Sequence, residues 1–437
     1  MMTESILGMF IGLLLSYFSI GLSKWQGRLD FFAPPMVVLG TMWLQYYLPA
    51  FTLPYYDYWV YPHRWKENQV VLYPVLVSSV AWLAFLFGYG VRLGRSLSRS
   101  LPVPTPSRYT VWTAWALTLV GLGSLLIAVG RSGGLLRIAQ LGSVAKGTGV
   151  WVQLGFLTLP GIALLWSYGR SRIVAVLAAV TYFAISMAAQ GRGAALKVLI
   201  VLLIMTRYLW NVSNTTLLVV VGGIFVPFAI LAGSVGRELM KVESLSGVVT
   251  LISRVGMGFV RNTVLTINRD LSRLEQLSIV MELVPERVGY FLGIPMLQGL
   301  FGPFVKYLFP GYIDWRVALT AVAIYGWAQD LPWGMGGTGV GEWYANFGFG
   351  GVVIGWMLLG VGARCLYEWF QRNRQIYPQR VIVALYVLLL LFFWGCEGES
   401  IGHLFSMWLL LPVVMTSRWR RPRAGTALSH LKHDGML

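Results

Sequence analysis

The sequence predicts an all-α, polytopic integral membrane protein, and three observations carry that assignment. Hydrophobic residues make up 57% of the 437-residue chain and charged residues only 12%. A soluble domain carries about 25% charged residues, so this chain has too few to cover a water-facing surface. Apolar runs of roughly 17 residues or more recur along it, each long enough to bridge a bilayer as a helix. The third observation is a formal net charge of +17. In a soluble protein that would suggest nucleic acid; in a membrane protein it reflects Lys and Arg in cytoplasmic connectors. Nucleic acid is therefore not an expected partner, and the bilayer is.

About eleven spans are expected: Ile6–Leu22, Phe31–Ala50, Val70–Val91, Thr110–Val129, Val150–Tyr168, Ile173–Ala189, Ala194–Trp210, Leu217–Ser234, Phe349–Leu366, Val381–Cys396 and Ile401–Ser417. The first lacks a basic leader and a small-residue cleavage site, so it reads as a retained span and not a signal peptide. Cys365 and Cys396 lie near or within spans, which argues against a disulfide framework or a zinc site.

Orientation follows from the basic residues. Alternate connectors hold Lys24 and Arg28; Arg92, Arg95, Arg99 and Arg108; Arg170 and Arg172; Arg207; and Arg364, Arg372, Arg374 and Arg380. The tail WRRPR adds Arg418, Arg420, Arg421 and Arg423. With eleven spans these all fall on one side, placing the N-terminus outside and the C-terminus in the cytoplasm. Arg131, Arg137 and Lys146 dissent: they put three cations in an outside connector. Either the count slips there or those cations have a task.

The chain divides into an N-terminal bundle of about eight helices (1–233), an outer-face segment (234–348), C-terminal helices (349–417) and a basic tail (418–437). The outer segment is too long for a plain connector. Leu271–Val284 alternates charge and apolar residues at helical spacing, as an amphipathic helix does. The aromatic, Pro- and Gly-punctuated stretches at 301–327 suit interfacial or re-entrant helices, and a hidden pair there would raise the span count to 12–13.

Three groups of residues could carry chemistry. Arg192 stands in QGRG between two expected spans, where a guanidinium must snorkel, pair or bind an anion. Arg237, Arg254 and Arg261 follow, the last two seven residues apart and so on one face of a helix. Arginine's planar fork suits phosphate, although ion pairs with Glu238 and Glu243 would explain these cations too. The third group is Glu342 with Tyr344 and Asn346, after a glycine-rich approach. A carboxylate at a helix start is an ordinary capping feature. An outward-facing Glu partly desolvated by Trp343 and Tyr344 would equally suit proton abstraction from a hydroxyl. Glu397 and Glu399, between the last two spans, are second candidates, and Arg137 is a further candidate for substrate binding. The GMGGTG spacing lacks the strand a nucleotide fingerprint needs. No metal-ligand constellation is evident, and no cofactor is expected.

These residues carry a resemblance. GRGAAL (with Arg192 and Leu196), ERVGYFLGIPMLQGLFGPFVKYLFPG (Glu286 to Gly311) and GVGEWYANFGFGGVVIGWMLLG (Gly339 to Gly360) resemble the Wzy-type oligosaccharide repeat-unit polymerases of O-antigen synthesis. The first 190 residues match only in hydropathy. The resemblance implies a GT-C-like, metal-independent glycosyltransferase at the outer face of the bacterial inner membrane. It would join undecaprenyl-diphosphate-linked repeat units, donor to acceptor, with a chain-length regulator and a flippase as candidate partners. On that reading Arg192, Arg254 and Arg261 clamp the diphosphate and Glu342 activates the acceptor. The related O-antigen ligases usually place a histidine near the position of Glu342, which weakens a ligase reading. A lipid-linked oligosaccharide transporter is the rival class; it predicts charges lining a path within the spans.

Overall fold

The computed structural model describes residues 2–25, 30–52, 72–101, 103–105, 108–135, 137–138, 149–167, 171–188, 192–210, 212–213, 216, 273–286, 289–293, 339–373, 380–394 and 418–420. Among them the chain is helical, apart from one pair of three-residue strands. Three helices are long and apolar enough to cross a membrane: Leu72–Gly90, Tyr109–Arg131 and Gly339–Asn373. Helix stands at nine of the eleven expected spans; Leu217–Ser234 and Ile401–Ser417 lie outside the described residues.

Helix α1 (Met2–Trp25) packs antiparallel to a second rod. That rod is α2 (Pro34–Met42), a wider π turn at Trp43–Tyr47, and α3 (Leu48–Thr52). Pro34 and Pro35 open it, where missing N–H groups cost nothing because the first turn has no helical acceptors. The Trp43 indole N–H donates to the Ser16 hydroxyl at 2.7 Å, and Ser16 in turn donates to the Gly12 carbonyl at 2.7 Å. This chain fixes the rotation of α1 on the rod.

The centre of the bundle is a parallel pair, α4 (Leu72–Gly90) and α12 (Gly339–Asn373). The intervening helices are α5 (Arg92–Ser100), α6 (Arg108–Arg131), α7 (Gly149–Gly155), α8 (Thr158–Ser167), α9 (Arg172–Ala188), α10 (Arg192–Trp210) and α11 (Leu274–Leu283); α13 (Arg380–Trp394) follows. Glycine makes the central contact: a Cβ on Gly88 would collide with the Met357 carbonyl, and one on Gly360 with the Phe85 carbonyl. Small residues let two backbones approach where lipid offers no hydrophobic drive for association. Around that contact Trp82 stacks on Phe85 with centroids 5.5 Å apart, and Trp356 meets Phe85 edge-on at 6.3 Å.

The expected span Val150–Tyr168 is broken at residues 156–157 into α7 and α8. Pro160 has no N–H to give the Phe156 carbonyl, which instead accepts from Leu159 at 3.1 Å. Gly121 of α6 abuts Thr158, and Gly161 of α8 abuts Thr118, so these helices run antiparallel. Within the stretch Leu271–Val284, expected to be an amphipathic helix, α11 is buried around most of its circumference at Leu274, Leu277, Ser278, Ile279, Val280 and Leu283, and Glu282 is exposed. The Arg273 N–H at its start donates to the Gln45 carbonyl at 3.0 Å, tying it to the π turn.

Several basic connectors gather at one end. There Tyr208 of α10 meets Phe370 of α12 at 4.7 Å, and Phe370 stacks on Tyr386 of α13 at 3.9 Å. Asp30, buried beneath them, accepts hydrogen bonds from Tyr208 and Tyr367, each 2.9 Å, and from the Phe32 N–H at 3.1 Å. Arg95 reaches Glu368 at 3.6 Å. Strand β1 (Val103–Thr105) pairs antiparallel with β2 (Arg418–Arg420), which brings the basic tail beside the connector after α5. Arg172 lies over the Trp210 ring at 5.0 Å, so the open ends of the α9–α10 hairpin, with Arg172 and Arg207, also stand here.

Candidate active site

Glu342 lies in the first turn of α12, where the unsatisfied N–H groups and the helix dipole favour a carboxylate. Its side chain is only 1% exposed. The sequence suggested an outward-facing group; the side chain is enclosed instead. Residues 340–346 pack against α4 and against residues 291–293 at the end of this first helical segment. Phe291 N–H donates to the Ala345 carbonyl and Leu292 N–H to the Asn346 carbonyl, both at 3.1 Å.

Asn346 completes that contact. Fully buried, it donates from Nδ2 to the Glu342 carbonyl at 2.8 Å and accepts at Oδ1 from the Gly293 N–H at 2.8 Å. Expected to touch substrate, its amide serves as a clamp between two backbone segments. Two residues on, Gly348 takes φ 67° and ψ −160° and kinks α12. The segment carrying Glu342 is therefore set at an angle to the longer helical segment behind it.

Tyr344 is also buried, close to Tyr73 at the start of α4. Tyr290 and Glu286 complete the surroundings: both act electrostatically on Tyr344, and the Tyr290 hydroxyl lies over Gly348. Tyr73, Tyr290 and Glu286 are exposed at this end of the bundle. The sequence did not single out Tyr73 or Tyr290 as chemical groups. Tyr290 falls inside the ERVGYFLG stretch, and its spacing from Glu286 is the one signal that could have found it.

Arg192 is the first residue of α10. Tyr208, near the far end of α10, packs on Phe370, near the far end of α12. The starts of these two helices, with Arg192 and Glu342, therefore share the end of the bundle opposite the basic connectors. Arg131 and Arg137 stand at that same end, because α6 begins at the basic end and runs away from it. Arg131 lies over the Trp151 ring at 5.5 Å, and Arg137 is exposed beside the Gly133–Gly134 turn. Lys146 lies outside the described residues, as do Arg237, Arg254, Arg261, Glu397 and Glu399. Among the described residues no group of three or more His, Cys, Asp or Glu side chains could hold a metal ion.

This end thus combines a buried carboxylate, exposed phenols and guanidinium-bearing helix ends. It can take up hydroxyl groups and oxyanions together. No protein-family model matches the chain, and neither a curated protein nor a solved structure does.

Proposed function

We propose that this chain is an inverting, metal-independent glycosyltransferase that polymerises undecaprenyl-diphosphate-linked repeat units at the outer face of the bacterial inner membrane. The observation that carries the reading is the shared position of Arg192 and buried Glu342 at the bundle end remote from the arginine-rich connectors. With those connectors in the cytoplasm, this end faces outward, where lipid-linked repeat units are joined. The reading includes eleven spans in a GT-C-like architecture and the motif resemblance at Arg192, Glu286–Gly311 and Gly339–Gly360.

The chemistry asks for little machinery. An acceptor hydroxyl attacks the anomeric carbon of the donor as the bond to the diphosphate oxygen breaks. The proton goes to a carboxylate and the negative charge to the leaving lipid diphosphate. Glu342 serves as that base, and Arg192 with Arg254 and Arg261 holds the diphosphate. Arg237 and Arg137 extend the cationic surface. Tyr344, Tyr73 and Tyr290 offer ring faces and hydroxyls for a sugar, and Glu286 an acceptor for its hydroxyl protons.

Arg192→Gln should abolish polymer and leave single-repeat product. Glu342→Gln should lower turnover by roughly 10²–10⁴-fold while lipid-diphosphate binding persists. Full-length polymer from well-expressed Arg192→Gln would remove that residue from the mechanism. Undiminished turnover in Glu342→Gln would pass the base to Glu397 or Glu399.

A further inference from the structure

Helix α5 is an outlier among the described helices: RLGRSLSRS contains three arginines, no acid and two leucines at helical spacing. It follows directly on the membrane-length helix Leu72–Gly90 and packs against the last third of α12. Its inner face is small. Gly94 lies against the Val361 carbonyl and the Arg364 side chain, and Ser98 is buried, donating to the Arg95 carbonyl at 2.8 Å.

This packing leaves two unlike flanks outside. On one, Leu93, Leu97 and the following Leu101 are 55%, 47% and 40% exposed. On the other stand the exposed side chains of Arg92 and Arg95. Glu368 does not neutralise this neighbourhood, because Arg95 (3.6 Å), Arg364 and Arg372 (4.0 Å) all gather on its one carboxylate. The patch is cationic, apolar along one edge, and starts where the membrane-length helix α4 ends, near the depth at which lipid headgroups lie. An acidic peptide would satisfy the arginines but would leave the leucine edge without a partner.

We propose that α5 lies along the bilayer surface and binds an anionic phospholipid. The headgroup phosphate sits at Arg92 and Arg95, and the acyl chains run beside Leu93, Leu97 and Leu101. Such a helix buries its apolar edge among acyl chains while its arginines hold phosphate. The site does not depend on the transferase reading, because it stands at the other end of the bundle.

Native mass spectrometry of the purified full-length protein, titrated with dioleoylphosphatidylglycerol or dioleoylphosphatidylcholine, tests it. Phosphatidylglycerol should bind in preference to phosphatidylcholine. Arg92→Gln should weaken its binding roughly 5-fold and Arg92→Gln with Arg95→Gln roughly 30-fold. Leu93→Ser with Leu97→Ser should weaken both lipids. Because Arg95 touches Glu368, the single Arg92→Gln variant keeps the test valid should the double variant fold poorly. Equal binding of the two lipids, unchanged affinity in Arg92→Gln, or displacement of phosphatidylglycerol by equimolar inorganic phosphate would each overturn the proposal.

Discussion

Asn346 helps to fix the first turn of α12, where Glu342 stands. Its amide bridges the Glu342 carbonyl and the Gly293 N–H inside a dry interface. Asn346→Ala would leave both backbone groups without these partners, at about 1–3 kcal/mol for each buried group. Thermal unfolding in detergent should show a clear loss of stability, and an unchanged transition would refute the clamp. Gly348→Ala should cost about 1–2 kcal/mol from its left-handed φ of 67° alone, since the nearest atom to a new Cβ is only the mobile tip of Tyr290. Glu342, Tyr344 and Asn346 stand together in one short stretch of the sequence. Sequence reasoning missed that Glu342 is enclosed and that Asn346 serves the backbone. The partner that decides both is Gly289–Gly293, some fifty positions upstream, and no local pattern reveals that pairing.

At the scale of elements, hydropathy was a good guide and glycine was not. The helices α1, α4, α6, α9, α10, α12 and α13 stand where apolar runs placed them. The interruption of 150–168 needed attention to Pro160. The helices α4 and α12 pack in parallel. Which glycines hold them together could not be read, because GWMLLGVGA looks alike at each Gly. The structure separates them: Gly360 meets the Phe85 backbone, whereas Gly362 has nothing within 4 Å of a Cβ. Gly360→Ala should therefore destabilise by about 1–3 kcal/mol through overpacking, and Gly362→Ala should be neutral or stabilising by about 0.5–1 kcal/mol. Unfolding midpoints of the pair check this; equal effects would mean that the α4–α12 contact is not where the glycine packing puts it.

At the scale of the whole molecule, the account rests on two unlike ends. One gathers Asp30, Arg95, Arg172, Arg364 and the paired strands; the other gathers Arg131, Arg137, Arg192, Glu342 and Tyr290. In the sequence, basic connectors alternate with the expected spans, and Arg131 and Arg137 interrupt that pattern. In a background with Cys365 and Cys396 replaced, Arg92→Cys and Tyr290→Cys should react with a membrane-impermeant maleimide from opposite faces. Reaction from one face would collapse the two-ended arrangement. What the ends do is tested most directly by incubating the purified protein with an undecaprenyl-diphosphate-linked repeat unit and resolving the products by size. The account predicts a ladder of longer lipid-linked glycans that disappears in Arg192→Gln. A folded protein that leaves the repeat unit unextended, or only moves it across a vesicle membrane, would contradict it.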